Sequence, residues 1–475
     1  MVKVGNETVL GEIFKKPWFS RMWTVQEICM QSHSVILQYG TTTVSWDSML
    51  AATRLIKINQ EQGDIILSAV QDCLNLKLML DGSFDRKGMR EIRENNNIFA
   101  LSNILDFRNH RVASDPRDMI FSLYGLLLTL GIKMDVPNYH QDISSVYSAA
   151  TQFVIKYDKS LQILRKAQKS KRKYQLPSWV VDWTMKPAGF NDDIGSRFLE
   201  SRSRALFSFS HDNQVLTLRG RIVDEIEVTG DVLPSRDWQR YCSIKEESSQ
   251  DTLEGCAIGL TDHLSDSWPV FRDWAQVFHR FDSVDLVNHD AASSNQMSRF
   301  AETIYSFVKV EEAAEDSLRA PDMPRLMSAA VEELCDLAAD PEKILSVAMG
   351  MAREVTLHDN PATLRQLVEH MEDQVIGEFQ SPLRWSRFRH QCFRMITVAL
   401  GGKSFFSTRQ GYHGIIFGAV KPGSILCFVS GLDEPLVVSP HPGGYEYVGI
   451  AYVPELNKET VWPNAEEDLE PIRLI

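Results

Sequence analysis

Directly after Pro17, apolar residues recur at Trp18, Met22, Val25 and Cys29, at helical spacing. Proline suits the first helical position, where its missing N–H costs nothing, so the spacing predicts one amphipathic helix from Pro17 to Cys29 with that stripe buried. Trp23 and Glu27 lie one turn apart on the neighbouring stripe, which places a carboxylate beside an indole at the rim of the core. Two β-branched runs then flank Tyr39-Gly40 between residues 33 and 45, the pattern of a hairpin. Helical periodicity returns at 47–56, 64–80 and 98–107. It returns again after Pro116, where Asp115 or Ser114 can cap, and after Asp142 or Ser144, where Val146, Tyr147, Ala150, Phe153, Val154 and Tyr157 make a long apolar stripe. Residues 161–164 read as a strand or a helix end, 166–173 as a mobile basic surface loop, and 177–183 as an extended, aromatic-rich segment.

The pattern changes twice beyond this point. Residues 215–227 alternate apolar and polar, which predicts a hairpin, and residues from 234 to 395 are mostly helical and acidic. From Phe405 onward, short apolar runs are separated by glycine and proline turns such as Lys421-Pro422-Gly423. These shifts predict three units: an α/β unit over 1–190, a mixed, mainly helical middle region over 191–395, and a β-rich unit over 396–475 built as a small barrel or sandwich.

Composition narrows the function classes. With 63 acidic against 50 basic residues and a formal charge of −13, the chain lacks the basic surface that displaces counterions from nucleic acid or anionic lipid, so neither is an expected partner. The basic run at 86–93 reads as a solvated helix face. Seven scattered cysteines include no C-x-x-C pair and read as reduced core thiols, and no metal site can be assigned. No run is long and apolar enough for a signal or a membrane span, which places the expectation in the cytoplasm. Gly402-Lys403-Ser404 fails as a phosphate loop because Thr397 stands where the loop needs glycine. Dehydrogenase, zincin and serine-hydrolase motifs are absent.

The stretch Pro17-Trp18-Phe19-Ser20-Arg21-Met22-Trp23-Thr24-Val25-Gln26-Glu27 resembles the signature of the fungal heterokaryon-incompatibility (HET) domain. Further pieces follow in similar order: Val44-Ser45-Trp46, Asp115-Pro116-Arg117-Asp118 running on to Leu126, Pro137-Asn138-Tyr139, and Pro177-Ser178-Trp179-Val180-Val181-Asp182-Trp183. The resemblance covers about the first 185 residues, and the β-rich tail is similar to one that often follows such domains. It implies the C-terminal portion of a HET domain, because the family's upstream Tyr-x-x-Leu-Ser-Tyr-x-Trp-Gly and Cys-Ile-Asn-Gln type motifs do not occur, and Met1 is then an uncertain start.

HET domains are thought to be distant relatives of TIR domains, so the resemblance also implies a TIR-like fold with Glu27 as the catalytic carboxylate of an NAD-cleaving site, Trp23 as an apolar wall and Arg21 as a phosphate contact. Pro17, Trp18, Ser20, Gln26, Asp115, Arg117, Asp118 and Trp179 are the family-motif residues. Bottom-up, Arg117 and Asp118 at a helix start fit an ion-pair network, Trp179 fits core packing, and Glu27 fits a surface or ion-paired glutamate as well as a catalytic one. Two functions stay open: an effector of fungal non-self recognition and programmed cell death, with NAD as a possible substrate and other incompatibility factors as protein partners, and a non-catalytic scaffold or regulator derived from such a domain.

Overall fold

A computed structural model of the chain describes residues 16–30, 35–46, 48, 101, 111–129, 131–167, 172–185, 205–234, 267, 269–270, 273–278, 300, 303–307, 396, 399–463 and 465–475. Helices and strands are mixed, and the C-terminal sheet is antiparallel. No helix of the described residues is long and apolar enough to cross a membrane. The expected helices at 64–80 and 98–107, apart from helical Leu101, and the basic run at 86–93 lie outside the described residues; most of 234–395 does too. The chain divides into two compact units: one comprises Met1–Pro187, Glu200–Thr217 and Arg473–Ile475, the other Ala188–Leu199 and Leu218–Ile472.

In the first unit the expected single N-terminal helix is two, α1 (Pro17–Ser20) and α2 (Thr24–Cys29). They part at Arg21, which is extended at φ −77° and ψ 138°. Strand-like pairing with a distant segment overrides helical propensity here: Val112 N–H donates to Ser20 O at 2.7 Å and Met22 N–H to Val112 O at 3.0 Å. The break turns the helix, so its buried stripe is Met22, Val25 and Ile28 rather than one including Trp18.

The hairpin forms as expected, β1 (Ile36–Tyr39) against β2 (Thr42–Ser45), with Tyr39 facing Thr42 across Gly40 at φ 61°. Ser45 Oγ accepts the Ser48 N–H at 3.1 Å, capping the turn that buries Trp46. The helix after Pro116 is likewise interrupted, into α3 (Asp118–Phe121) and α4 (Tyr124–Thr129).

The long helix α5 (Ile143–Asp158) is capped by Asp142, whose carboxylate accepts from Ser145 N–H at 2.8 Å. Its Val146, Tyr147, Ala150 and Val154 are buried as the periodicity requires. Residues 162–166 form a 3-10 turn. Arg172, within the expected basic loop, is not a solvated side chain: its guanidinium donates to the carbonyls of Pro177 (2.9 Å), Ala167 (3.3 Å) and Ser178. Trp179 and Trp183 are fully buried, and Trp179 Nε1 donates to Gln214 O at 3.1 Å.

The short β3 (Phe207–Phe209) falls in the first unit and pairs with β4 (Leu216–Val232), which is one continuous strand where alternation predicts a hairpin. From Leu218 onward β4 belongs to the second unit, which is built on strands. Gly220, the natural place for a turn, instead permits close strand approach, since a Cβ there would lie 2.3 Å from the Phe428 carbonyl oxygen.

Strands β5 (Lys403–Thr408), β6 (His413–Phe417), β7 (Ile425–Val429), β8 (Leu436–His441) and β9 (Gly444–Tyr452) complete the sheet with β10 (Glu470–Leu474). The pairings run β4–β5–β6–β9–β8–β7 and return to β4, which makes a closed antiparallel ring. Ile226, Phe406, Ile416, Leu426, Val437 and Ala451, one from each ring strand, share one buried cluster. On the other face of β5, Phe405 meets Trp274, Phe278, Phe300 and Phe307.

Candidate functional site

The break at Arg21 decides where the motif side chains go. Arg21 stands exposed, and its carbonyl accepts from Thr24 Oγ1 at 2.7 Å, so that Thr24 fastens the start of α2. Beneath it the buried Arg111 donates to Thr24 Oγ1 at 2.8 Å and to Arg21 O at 3.3 Å. Arg111 stands ninety residues away in sequence and carries no local signal of this role.

Trp23 is 37% exposed and Glu27 is exposed, so the pair sits on the surface and not at the edge of the core. The indole that meets Glu27 belongs to Trp18, whose Nε1 donates to Oε2 at 2.9 Å. This follows from the turn between α1 and α2, which brings Trp18 back over the second helix. Among the described residues no cation pairs with Glu27. Ser20 Oγ bonds back to Pro17 O at 3.0 Å and closes α1, in which Pro17 is the first residue.

Gln26 connects the two principal motifs. Its Nε2 donates to Ser122 O between α3 and α4, and its Oε1 packs on Gly125, where a Cβ would come within 2.8 Å. Asp115, Arg117 and Asp118 form a network at the entrance to α3. Arg117 grips Asp115 in a two-pronged pair, Nε to Oδ1 at 2.9 Å and Nη2 to Oδ2 at 2.7 Å. Its remaining nitrogen donates to the Gln141 carbonyl at 3.0 Å and to that of Tyr139, while the plane lies 5.3 Å from the Tyr139 ring centre.

Tyr139 closes the circuit by donating its hydroxyl to Asp118, with its ring edge-on to Phe121 at 5.0 Å. The Asp115 carboxyl is held below the usual carboxylate range chiefly by hydrogen bonding to Arg117, and the Arg117 guanidinium is raised in return by Asp115. Burial, with the Asp118 carboxylate beside it, pushes the Tyr139 phenol up to about 12. The network therefore holds residues 137–141 against the start of α3, and Tyr147 adds a further tie, its hydroxyl donating to Pro116 O at 2.8 Å.

The structure thus brings Pro17, Trp18, Ser20, Gln26 and Glu27 onto one pair of helices, and joins them through Gln26 to the segment that carries Asp115, Arg117 and Asp118. Trp179 serves the packing under β3 instead, with its ring 5.5 Å from that of Phe209. No group of His, Cys, Asp and Glu among the described residues could hold a metal ion. Lys403 is buried with its ammonium donating to Ala399 O, which agrees with the failed phosphate-loop motif. Compared with known proteins, the chain matches no family model, no curated sequence and no solved structure.

Proposed function

We propose that the chain is a HET-type protein of fungal non-self recognition, acting in the cytoplasm through contact with other incompatibility factors and leading to growth arrest or cell death. One observation carries the choice of contact over chemistry: the polar groups of Gln26, Asp115, Arg117 and Asp118 are engaged by backbone carbonyls, by the Asp115–Arg117 pair and by the Tyr139 hydroxyl, leaving Trp23 at an exposed surface. An exposed tryptophan of this kind favours recognition of a protein partner, because it offers large apolar area at small entropic cost. Overproduction in a filamentous fungus tests the reading. Impaired growth is expected, and it should persist in Glu27→Gln and fall in Trp23→Ala. Healthy colonies at confirmed high expression would overturn it.

A second reading, TIR-like cleavage of NAD, is favoured by Glu27 itself. Its carboxylate is held by an indole N–H and has no cation to neutralise it among the described residues. Breaking the nicotinamide–ribose bond develops positive charge on the ribose, which such a carboxylate would stabilise, with Trp23 as apolar wall and Arg21 as phosphate contact. NAD loss catalysed by the purified chain and abolished by Glu27→Gln supports this second reading. Turnover that survives the substitution removes Glu27 from the mechanism.

A further inference from the structure

Four side chains of the first motif face solvent: Arg21, Trp23, Glu27 and Met30 are all exposed. Met22 between the first two is fully buried, so the extended backbone at Arg21 turns residues 21 and 23 outward together. From Trp23 the chain is helical, and Trp23, Glu27 and Met30 follow at offsets of four and three, which sets them on one face of α2. The order along this surface is therefore cation, indole, carboxylate and thioether, with opposite charges on the two sides of Trp23.

Neither charge is neutralised within the chain. Arg21 bonds through its backbone alone, to Thr24 Oγ1, to the Arg111 guanidinium and across the bridge to Val112, and among the described residues its guanidinium pairs with no acid. Glu27 accepts the Trp18 indole N–H at 2.9 Å and meets no cation among those residues. The second motif differs, since Arg117 and Asp115 are closed on each other at 2.7 Å. A purely cationic partner would be repelled by Arg21 and a purely anionic one by Glu27. The surface that satisfies both carries the two charges in reverse order about an apolar centre, and this same face, turned by a twofold axis, does so.

We propose that this face is an isologous interface occupied by a second copy of the chain, with the two Trp23 indoles packed across the twofold axis and Arg21 of each copy paired with Glu27 of the other. With a formal charge of −13, two copies repel one another at long range, so association needs a local match of this kind. The proposal rests on the reading of Trp23 as a contact residue and names the chain itself as a partner.

Sedimentation velocity of the full chain over about 1–300 μM tests it, the range in which a small interface associates. A reversible dimer is expected. Arg21→Glu and Glu27→Arg should each weaken it about thirtyfold, because both symmetry-related pairs become like-charged at once, and Trp23→Ala should weaken it about tenfold. Arg21→Glu touches no side-chain bond of its own chain, so it serves if Glu27→Arg disturbs Trp18. The two reversals, mixed, should associate with near-native affinity, since each copy then supplies the charge that the other lacks; chains that had lost their fold could not rescue each other. A native chain that stays monomeric, a dimer indifferent to both reversals, or reversals that fail to rescue one another would overturn the proposal. If the chain is monomeric while impaired growth still falls in Trp23→Ala, the proposal fails and the reading of Trp23 as a contact for another protein stands.

Discussion

Replacing Gly125 by alanine should reveal whether the two principal motifs dock in solution as they do in the structure. On propensity alone the change is favourable by up to about 1 kcal/mol, since Gly125 lies in α4 and alanine is the better helix former. The surroundings oppose it. The new Cβ would sit 2.8 Å from Gln26 Oε1 and 3.1 Å from Met30 Sδ, both on the α2 side of the contact. Overpacking of this kind costs about 1–3 kcal/mol, so Gly125→Ala should be neutral to destabilising by about 2 kcal/mol in the native background. In Gln26→Ala the nearest obstacle is gone and the propensity gain should reappear. The sign of the same substitution therefore reverses between backgrounds, with a coupling of about 1–2 kcal/mol. Global melting is a poor readout for a chain with two compact units, so the assay is hydrogen exchange followed by mass spectrometry on peptides covering 24–30 and 124–129. Equal stabilisation by Gly125→Ala in both backgrounds would refute the docking of α2 on α4, and with it the joining of the two motifs through Gln26.

Other predictions follow from the second unit. Gly220→Ala forces a Cβ to 2.3 Å from the Phe428 carbonyl oxygen, which cannot swing away, so a loss of about 2–3 kcal/mol in urea unfolding of the barrel strands is expected; a loss below about 0.5 kcal/mol would mean that β4 and β7 are farther apart. Burial lowers the Lys458 ammonium to about 8, so the unfolded chain binds this proton more tightly than the folded one. Stability should therefore rise as pH climbs from about 8 to about 10, and Lys458→Met should remove that rise in melting temperature; a fall over the same range in the native chain contradicts the assignment. The Cys427 thiol, fully buried and pushed up to about 12, should resist iodoacetamide at pH 8 in the folded protein and react after urea treatment, as peptide mass spectrometry would read.

What could be read from the residues depended on how local its cause is. The β1–β2 hairpin was legible because Tyr39-Gly40 sets its turn, and α5 was legible because Asp142 caps it beside a regular apolar stripe. The break at Arg21 was not, because it is imposed by Val112, which borrows the Ser20 carbonyl and the Met22 N–H. The same holds for Gln26, whose partner Ser122 is almost a hundred residues away, and for Arg172, whose charge suggested a solvated loop while its donors close on carbonyls. Alternation is indifferent to length and so predicts a hairpin over what is the single strand β4, and only the close approach of Phe428 shows why Gly220 stays extended. Glu27 moved from the core rim to the surface for the reason that split its helix.

The ring of strands also has a consequence for how this chain is put together as a set of modules. β4 and β5 are neighbours in the ring, and at their junction Leu233 N–H donates to Lys403 O at 2.8 Å and Gly402 N–H to Leu233 O at 2.7 Å. The chain therefore leaves the barrel after Leu233 and rejoins it at Gly402 at a single point, with residues 234–401 inserted in sequence into what would otherwise be one hairpin. Such an insert can be exchanged or lengthened without altering the register of any barrel strand, because its two ends are already clasped. Excision would nonetheless carry a penalty: Trp274, Phe278, Phe300 and Phe307 belong to the insert, and without them the Phe405 face of β5 would be left as a bare aromatic patch inviting aggregation.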